Sequence, residues 1–243
     1  TEVHRWALPV IAETYDGVLN DINGFHVNEQ HVISAIENAA TGFVKEGNVG
    51  GGTGMICYDF KGGTGTSSRV IQLSERRYTV GALVQANHGK REWLNILGVP
   101  VGQYLTEDLI LEKEQGSIIV VVATDAPMVP HQLSRVAKRI GLGVGRNGTP
   151  SGNSSGDIFL AFSVANNVTN WPMESVTSHL QFLNDEYFDP FYLATVEVVE
   201  EAIVNAMLAA KEMTTLRPPG LVCRAIDRDV LLDLVKRYGR VRR

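Results

Sequence analysis

The stretch Gly116-Ser117-Ile118-Ile119-Val120-Val121-Val122-Ala123-Thr124-Asp125-Ala126-Pro127 governs the reading of the whole chain. Its apolar run reads as a strand, the most apolar in the sequence. A hydroxyl residue stands at its first position, behind a glycine and the charged run Glu112-Lys113-Glu114-Gln115. Cutting the Gly116–Ser117 bond would give Ser117 a free α-amine beside its own hydroxyl, so that one residue supplies nucleophile and base. The same Gly-Ser pair also reads as an ordinary turn ahead of a strand.

Working outward, Asn28 caps a helical pattern through His31, Val32, Ile33, Ala35, Ile36 and Ala39. Two glycine-dense stretches, 47–54 and 61–66, alternate with strand-like runs at Met55–Phe60, Arg69–Leu73 and Tyr78–Asn87. Beyond the Ser117 strand, Pro130–Ile140 has helical spacing and a glycine stop at Gly141 and Gly143. A Gly/Ser/Asn loop then leads to a strand at Ile158–Val164, and Ala194–Glu212 is the longest expected helix. A last helix is expected over Asp227–Tyr238, with an acidic cap and a basic tail. Mostly antiparallel strands with a few amphipathic helices suggest helices layered over sheets in one domain, 1–243.

With 243 residues, 44% hydrophobic, 20% charged and a net charge of -5, the chain lacks the basic, aromatic-studded stripe that tracks a phosphate backbone. Nucleic acid is not an expected partner, and no apolar run is long enough to span a bilayer. Cys57 and Cys223 each lie in an apolar run and read as buried free thiols. No zinc spacing links His4, His26, His31, His88, His131 and His179, which read as surface or capping residues; neither metal nor cofactor is expected. The glycine stretches lack the phosphate-loop pattern and run into strands instead of helices.

Polar residues stranded at the ends of apolar runs are the remaining candidates. Asn87 ends the run Val80–Ala86 and is either a turn residue or an amide donor to an oxyanion. Ser155 and Asp157, two apart, share one face ahead of Ile158–Val164 and form either a turn or a proton-relaying pair. Glu13 lies among apolar neighbours; if buried it needs a cation, either a substrate ammonium or a structural Arg or Lys.

Taken together, these segments resemble the L-aminopeptidase/D-amidase/D-esterase and β-peptidyl aminopeptidase family of self-processing serine hydrolases with an N-terminal nucleophile. The resemblance rests on Leu8-Pro9-Val10-Ile11-Ala12-Glu13-Thr14, on 46–55, on Lys61-Gly62-Gly63 with 65–69, and on Leu83-Val84-Gln85-Ala86-Asn87-His88-Gly89. It continues through Ala123-Thr124-Asp125-Ala126-Pro127, Pro130-His131-Gln132-Leu133, and Ser155-Gly156-Asp157 with Ala161-Phe162-Ser163. It implies an α/β fold built as a four-layer α/β/β/α sandwich, with the Ser117 strand in mid-sheet and covered on both faces. It also implies self-cleavage between Gly116 and Ser117 into fragments 1–116 and 117–243 that stay associated, and a family segment ahead of Leu8-Pro9 that this sequence lacks.

By the same resemblance Ser117 is the nucleophile and its α-amine the base, Asn87 stabilises the oxyanion, and Ser155 and Asp157 attend the amine. Some members carry Glu where this chain has the shorter Asp157. Glu13 matches the carboxylate that holds the substrate's free amino terminus, and Tyr15 a site tyrosine. The expected activity is removal of N-terminal residues from short peptides, amides or esters, β-peptides included, by a homo-oligomer. The cytoplasm is favoured over the periplasm. The alternatives are an acyltransferase of related architecture and a non-enzymatic assembly or binding protein.

Overall fold

The structure is a computed structural model that describes residues 8–114, 116–166, 176–177 and 179–241. His4 lies outside them. In chain order the main elements are α1 (Glu29–Glu37), β1 (Ile56–Cys57), β2 (Phe60–Lys61), β3 (Gly63–Leu73), β4 (Arg76–Ala86), β5 (Ile119–Thr124), α2 (Pro130–Arg146), β6 (Ile158–Ser163), α3 (Asp189–Ala209), β7 (Met213–Thr214), β8 (Val222–Cys223) and α4 (Arg228–Arg237).

The apolar run after Ser117 becomes β5, an inner strand of a four-stranded sheet ordered β3-β4-β5-β6. β3, β4 and β5 pair antiparallel, whereas β5 and β6 run parallel, with α2 as the crossover helix between them. α3 packs across β3 and β4, and α2 packs on α3 and β6. The face toward the helices is dry: Val80, Val84, Val120 and Val122 meet Phe191, Val199, Ile203 and Met207 in one cluster. The other face carries alternate residues that stay partly open, among them Val70, Leu83, Ile158 and Phe162. β5 was expected to be covered on both faces. Among the described residues it is fully covered on one, because both long helices lie on the same side of the sheet.

Several element boundaries differ from expectation; the longest helix, α3, begins at Asp189 and ends at Ala209, where Ala194–Glu212 was expected. The run Met55–Phe60 is a tight hairpin and not one strand, because Tyr58 and Asp59 take positive φ values of 51° and 63°. The glycines at 63 and 65 lie inside a strand: a Cβ on Gly65 would sit 2.0 Å from the Ala202 carbonyl oxygen, so the glycine lets α3 approach. Gly141 and Gly143 do not stop α2, which runs on to Arg146; a Cβ on Gly143 would lie 2.7 Å from both Val196 O and Val199 Cβ. α1 forms as expected behind its Asn28 cap but buries none of its residues.

Candidate active site

Strand registers bring the site together. Gln85 pairs with Ile119, and Ile119 with Ile158. Past these pairs, at the strand ends, Gly116 lies against Asn87 O and Gly156 N–H against Ser117 Oγ. Gly116 is pressed onto the Asn87 backbone so closely that a Cβ would lie 1.7 Å from Asn87 O. Only glycine fits ahead of the serine.

Ser117 is half-buried, and its Oγ accepts a hydrogen bond from Gly156 N–H at 2.8 Å. The next amide, Ile118 N–H, donates to Asp157 Oδ1 at 3.2 Å. Ser155 Oγ donates to the same oxygen at 2.5 Å, and Ser151 Oγ donates to Oδ2 at 2.6 Å. The Asp157 carboxylate is thus oriented by two hydroxyls beside the backbone nitrogen that follows the serine. Ser151 was not singled out in the sequence, where it is one more polar residue of a Gly/Ser/Asn loop. Its φ of 59° sets it apart only in three dimensions.

Asn87 is buried, and its amide is already engaged. Oδ1 accepts from Ile56 N–H at 2.8 Å, while Nδ2 donates to Tyr15 O at 2.9 Å. One Nδ2 hydrogen remains for an oxyanion. Asn87, Tyr15, Glu114 and Gly116 line a cavity of about 20 Å³, room for one water.

Glu13 is exposed and makes no ion pair among the described residues, so the condition under which it would need a buried cation is not met. Its neighbours anchor the backbone instead: Thr14 Oγ1 donates to Met55 Sδ at 2.9 Å and accepts from Gln85 Nε2 at 2.5 Å. Tyr15 remains partly exposed at the cavity mouth.

Beneath the site lies a buried scaffold. His88 is buried, not at the surface as expected, and packs edge-on against Tyr58 with ring centroids 5.1 Å apart. Burial pushes its imidazole down to about 4, opposed by the nearby Asp157 charge, and its Nε2 has no hydrogen-bond partner among the described residues. The Tyr58 hydroxyl accepts from Thr149 N–H at 3.3 Å, tying the β1–β2 hairpin to the loop of Asp157. Arg91 clamps that hairpin by donating to Tyr58 O at 2.9 Å and Asp59 O at 2.8 Å, with further bonds to Leu105 O and Glu107 O. Its guanidinium lies 3.3 Å over the Phe60 ring, and burial lowers its pKa to about 10.

Lys61 is buried as well and donates to Gly52 O at 3.1 Å and Gly62 O at 2.9 Å, pinning the first glycine stretch beside the site. Burial pulls its ammonium down to about 8. Cys57 and Cys223 are the buried free thiols expected, each pushed up to about 12 by burial. Among the described residues, no group of three His, Cys, Asp or Glu side chains is placed to hold a metal.

The sequence profile of peptidase family S58 matches residues 1–218. A curated relative, the β-peptidyl aminopeptidase BapA of Sphingosinicella microcystinivorans, is 47% identical over 97% of this chain. The chain belongs to peptidase family S58. The solved L-aminopeptidase D-Ala-esterase/amidase of Ochrobactrum anthropi, a variant of the Ntn-hydrolase fold, is 54% identical over 100% of this chain with a TM-score of 0.91. A β-aminopeptidase of Burkholderia sp. is 44% identical over 99% of the chain, with a TM-score of 0.88. The fold is therefore a variant of the Ntn-hydrolase fold with a mixed sheet, as the resemblance implied. The chain spans 63% of the length of that BapA and 66% of the Ochrobactrum chain.

Proposed function

We propose that this chain carries the active site of a self-processing serine aminopeptidase. It would be cut between Gly116 and Ser117 and would release N-terminal residues from short peptides, amides or esters, β-peptides included. The observation that carries the reading is the strand-end cluster: Ser117 Oγ at 2.8 Å from Gly156 N–H, beside an Asp157 carboxylate fixed by Ser155 and Ser151. S58 membership and the activities of its relatives support it.

In this mechanism Ser117 Oγ attacks the substrate's scissile carbonyl while its α-amine takes the hydroxyl proton. An α-amine titrates near pH 8 and is a competent base at neutrality. The remaining Asn87 N–H stabilises the oxyanion. The intermediate expels the leaving amine, which takes the proton, and water then hydrolyses the Ser117 ester. Asp157 and Ser155 orient the α-amine, and the exposed Glu13 carboxylate takes the substrate ammonium at the cavity mouth beside Tyr15.

A substrate amide with a free amino terminus and its N-acetylated counterpart, assayed with the full-length protein, test the reading. Turnover is expected for the free amine alone and is lost in Ser117→Ala. Retention of turnover in Ser117→Ala overturns the assignment.

A further inference from the structure

The segment leading into the Gly116–Ser117 bond is tied down at both ends. Asp59 Oδ1 accepts from Ile110 N–H at 3.0 Å and Leu111 N–H at 3.2 Å, and beyond the bond Ile118 N–H donates to Asp157. Among the described residues between them, Glu114 makes a further tie. Its Oε1 accepts from Gly89 N–H at 2.9 Å. Its Oε2 lies against Gly152, where a Cβ would sit only 1.8 Å away.

Those two glycines belong to the loops that flank Ser117. Gly89 follows Asn87 by two residues, and Gly152 adjoins Ser151, whose hydroxyl holds Asp157. Gly89 has a φ of +85°, and a Cβ there would lie 2.4 Å from the Tyr58 ring. The N–H that meets Glu114 therefore sits at a position where only glycine fits. One half-buried carboxylate thus spans the oxyanion side and the amine side of the site.

We propose that Glu114 is a positioning residue for self-cleavage, strapping the leader of the bond across both loops so that the Gly116 carbonyl stays within reach of Ser117 Oγ. The proposal rests on the self-cleavage reading above. In that step the Oγ–C bond to Gly116 forms, the C–N bond to Ser117 breaks, and the hydroxyl proton ends on the released amine. Water then hydrolyses the ester to the Gly116 carboxylate and the free Ser117 hydroxyl. Glu114 touches none of these atoms. It acts by removing conformational freedom that the reacting groups would otherwise have to lose in reaching the transition state.

The test uses full-length precursor, following the appearance of the fragment that begins at Ser117 by intact mass, with turnover measured separately on fully cut protein. Glu114→Ala should be cut about tenfold more slowly, equivalent to about 1.4 kcal/mol. Glu114→Gln, which keeps an acceptor oxygen for Gly89 N–H, should stay within about threefold of the parent. Gly152→Ala, whose new Cβ intrudes on Oε2, should also slow the cut, and adding it to Glu114→Ala should cost nothing more. Because Glu114 lines the cavity beside Asn87, turnover per cut site is read as a ratio to the parent, and the cut should slow by more than that turnover falls.

Parental cleavage rates in Glu114→Ala, additive losses in the double variant, or equal losses in mature turnover overturn the proposal. If Glu114→Ala fails to fold, Gly152→Ala decides alone, and a parental rate there overturns it. A parent protein that is never cut removes the self-cleavage reading itself. A parent that is cut while both variants keep pace with it removes only the strap.

Discussion

At the scale of single residues, the site is a set of small polar groups held by a buried frame that includes Tyr58, Lys61, His88 and Arg91. His88 has the clearest consequence. Its pKa falls from 6.5 unfolded to about 4 folded, because burial penalises the imidazolium. The unfolded chain therefore binds more protons between these values. The His88 contribution is fully present above pH 6.5 and is lost as the pH falls through about 4. Integrated over that window it is worth roughly 3 kcal/mol. Unfolding free energies measured by urea titration should fall with pH from 6.5 to 4, and His88→Gln should flatten that slope. An unchanged slope would mean that His88 is not the group being titrated.

How far the site could be read from sequence also depends on particular residues. Ser117, Asn87, Ser155 and Asp157 stood out as candidates because each lies at an end of an apolar run, and only the family resemblance gave them roles. Glu114, Ser151 and Tyr58 did not, since their partners at Gly89, Asp157 and Thr149 are brought near only by folding. For Glu13 the sequence called for a cation only if the side chain were buried; it is exposed, as are Leu8, Val10 and Ile11.

At the scale of elements, glycine was the ambiguous letter. Local rules read Gly63, Gly65, Gly141 and Gly143 as breaks, whereas β3 and α2 run through them. A residue that permits a turn also permits two backbones to touch, and only the partner decides between the two. The β1–β2 hairpin shows the reverse case, in which two non-glycine residues accept positive φ because surrounding bonds hold them there. Arg91 is the main clamp. Arg91→Lys loses the planar fork that serves Tyr58 O and Asp59 O together and should destabilise the fold by about 2–4 kcal/mol in urea unfolding. A change below about 0.5 kcal/mol would show that the hairpin holds without the clamp.

At the scale of the molecule, two long helices cover one side of the sheet, and the other side and α1 keep apolar surface open. Residues 21–45 contain no buried residue, and Phe25, Val27, Val32, Ile36 and Phe43 are all exposed. The homo-oligomer that the family resemblance implies would bury such a surface, and α1 is the segment on which to test it. Val32→Ser combined with Ile36→Ser should lower the mass measured by light scattering while leaving the circular dichroism spectrum intact. An unchanged assembled mass would exclude α1 from the contact.

The central claim is that Ser117 becomes a new N-terminus, and the intact mass of the purified protein under denaturing conditions tests it most directly. Two polypeptides are expected from the parent, one starting at Ser117, and a single uncut chain from Ser117→Ala. A parent protein that remains one chain, or a Ser117→Ala variant still split at this bond, would contradict it.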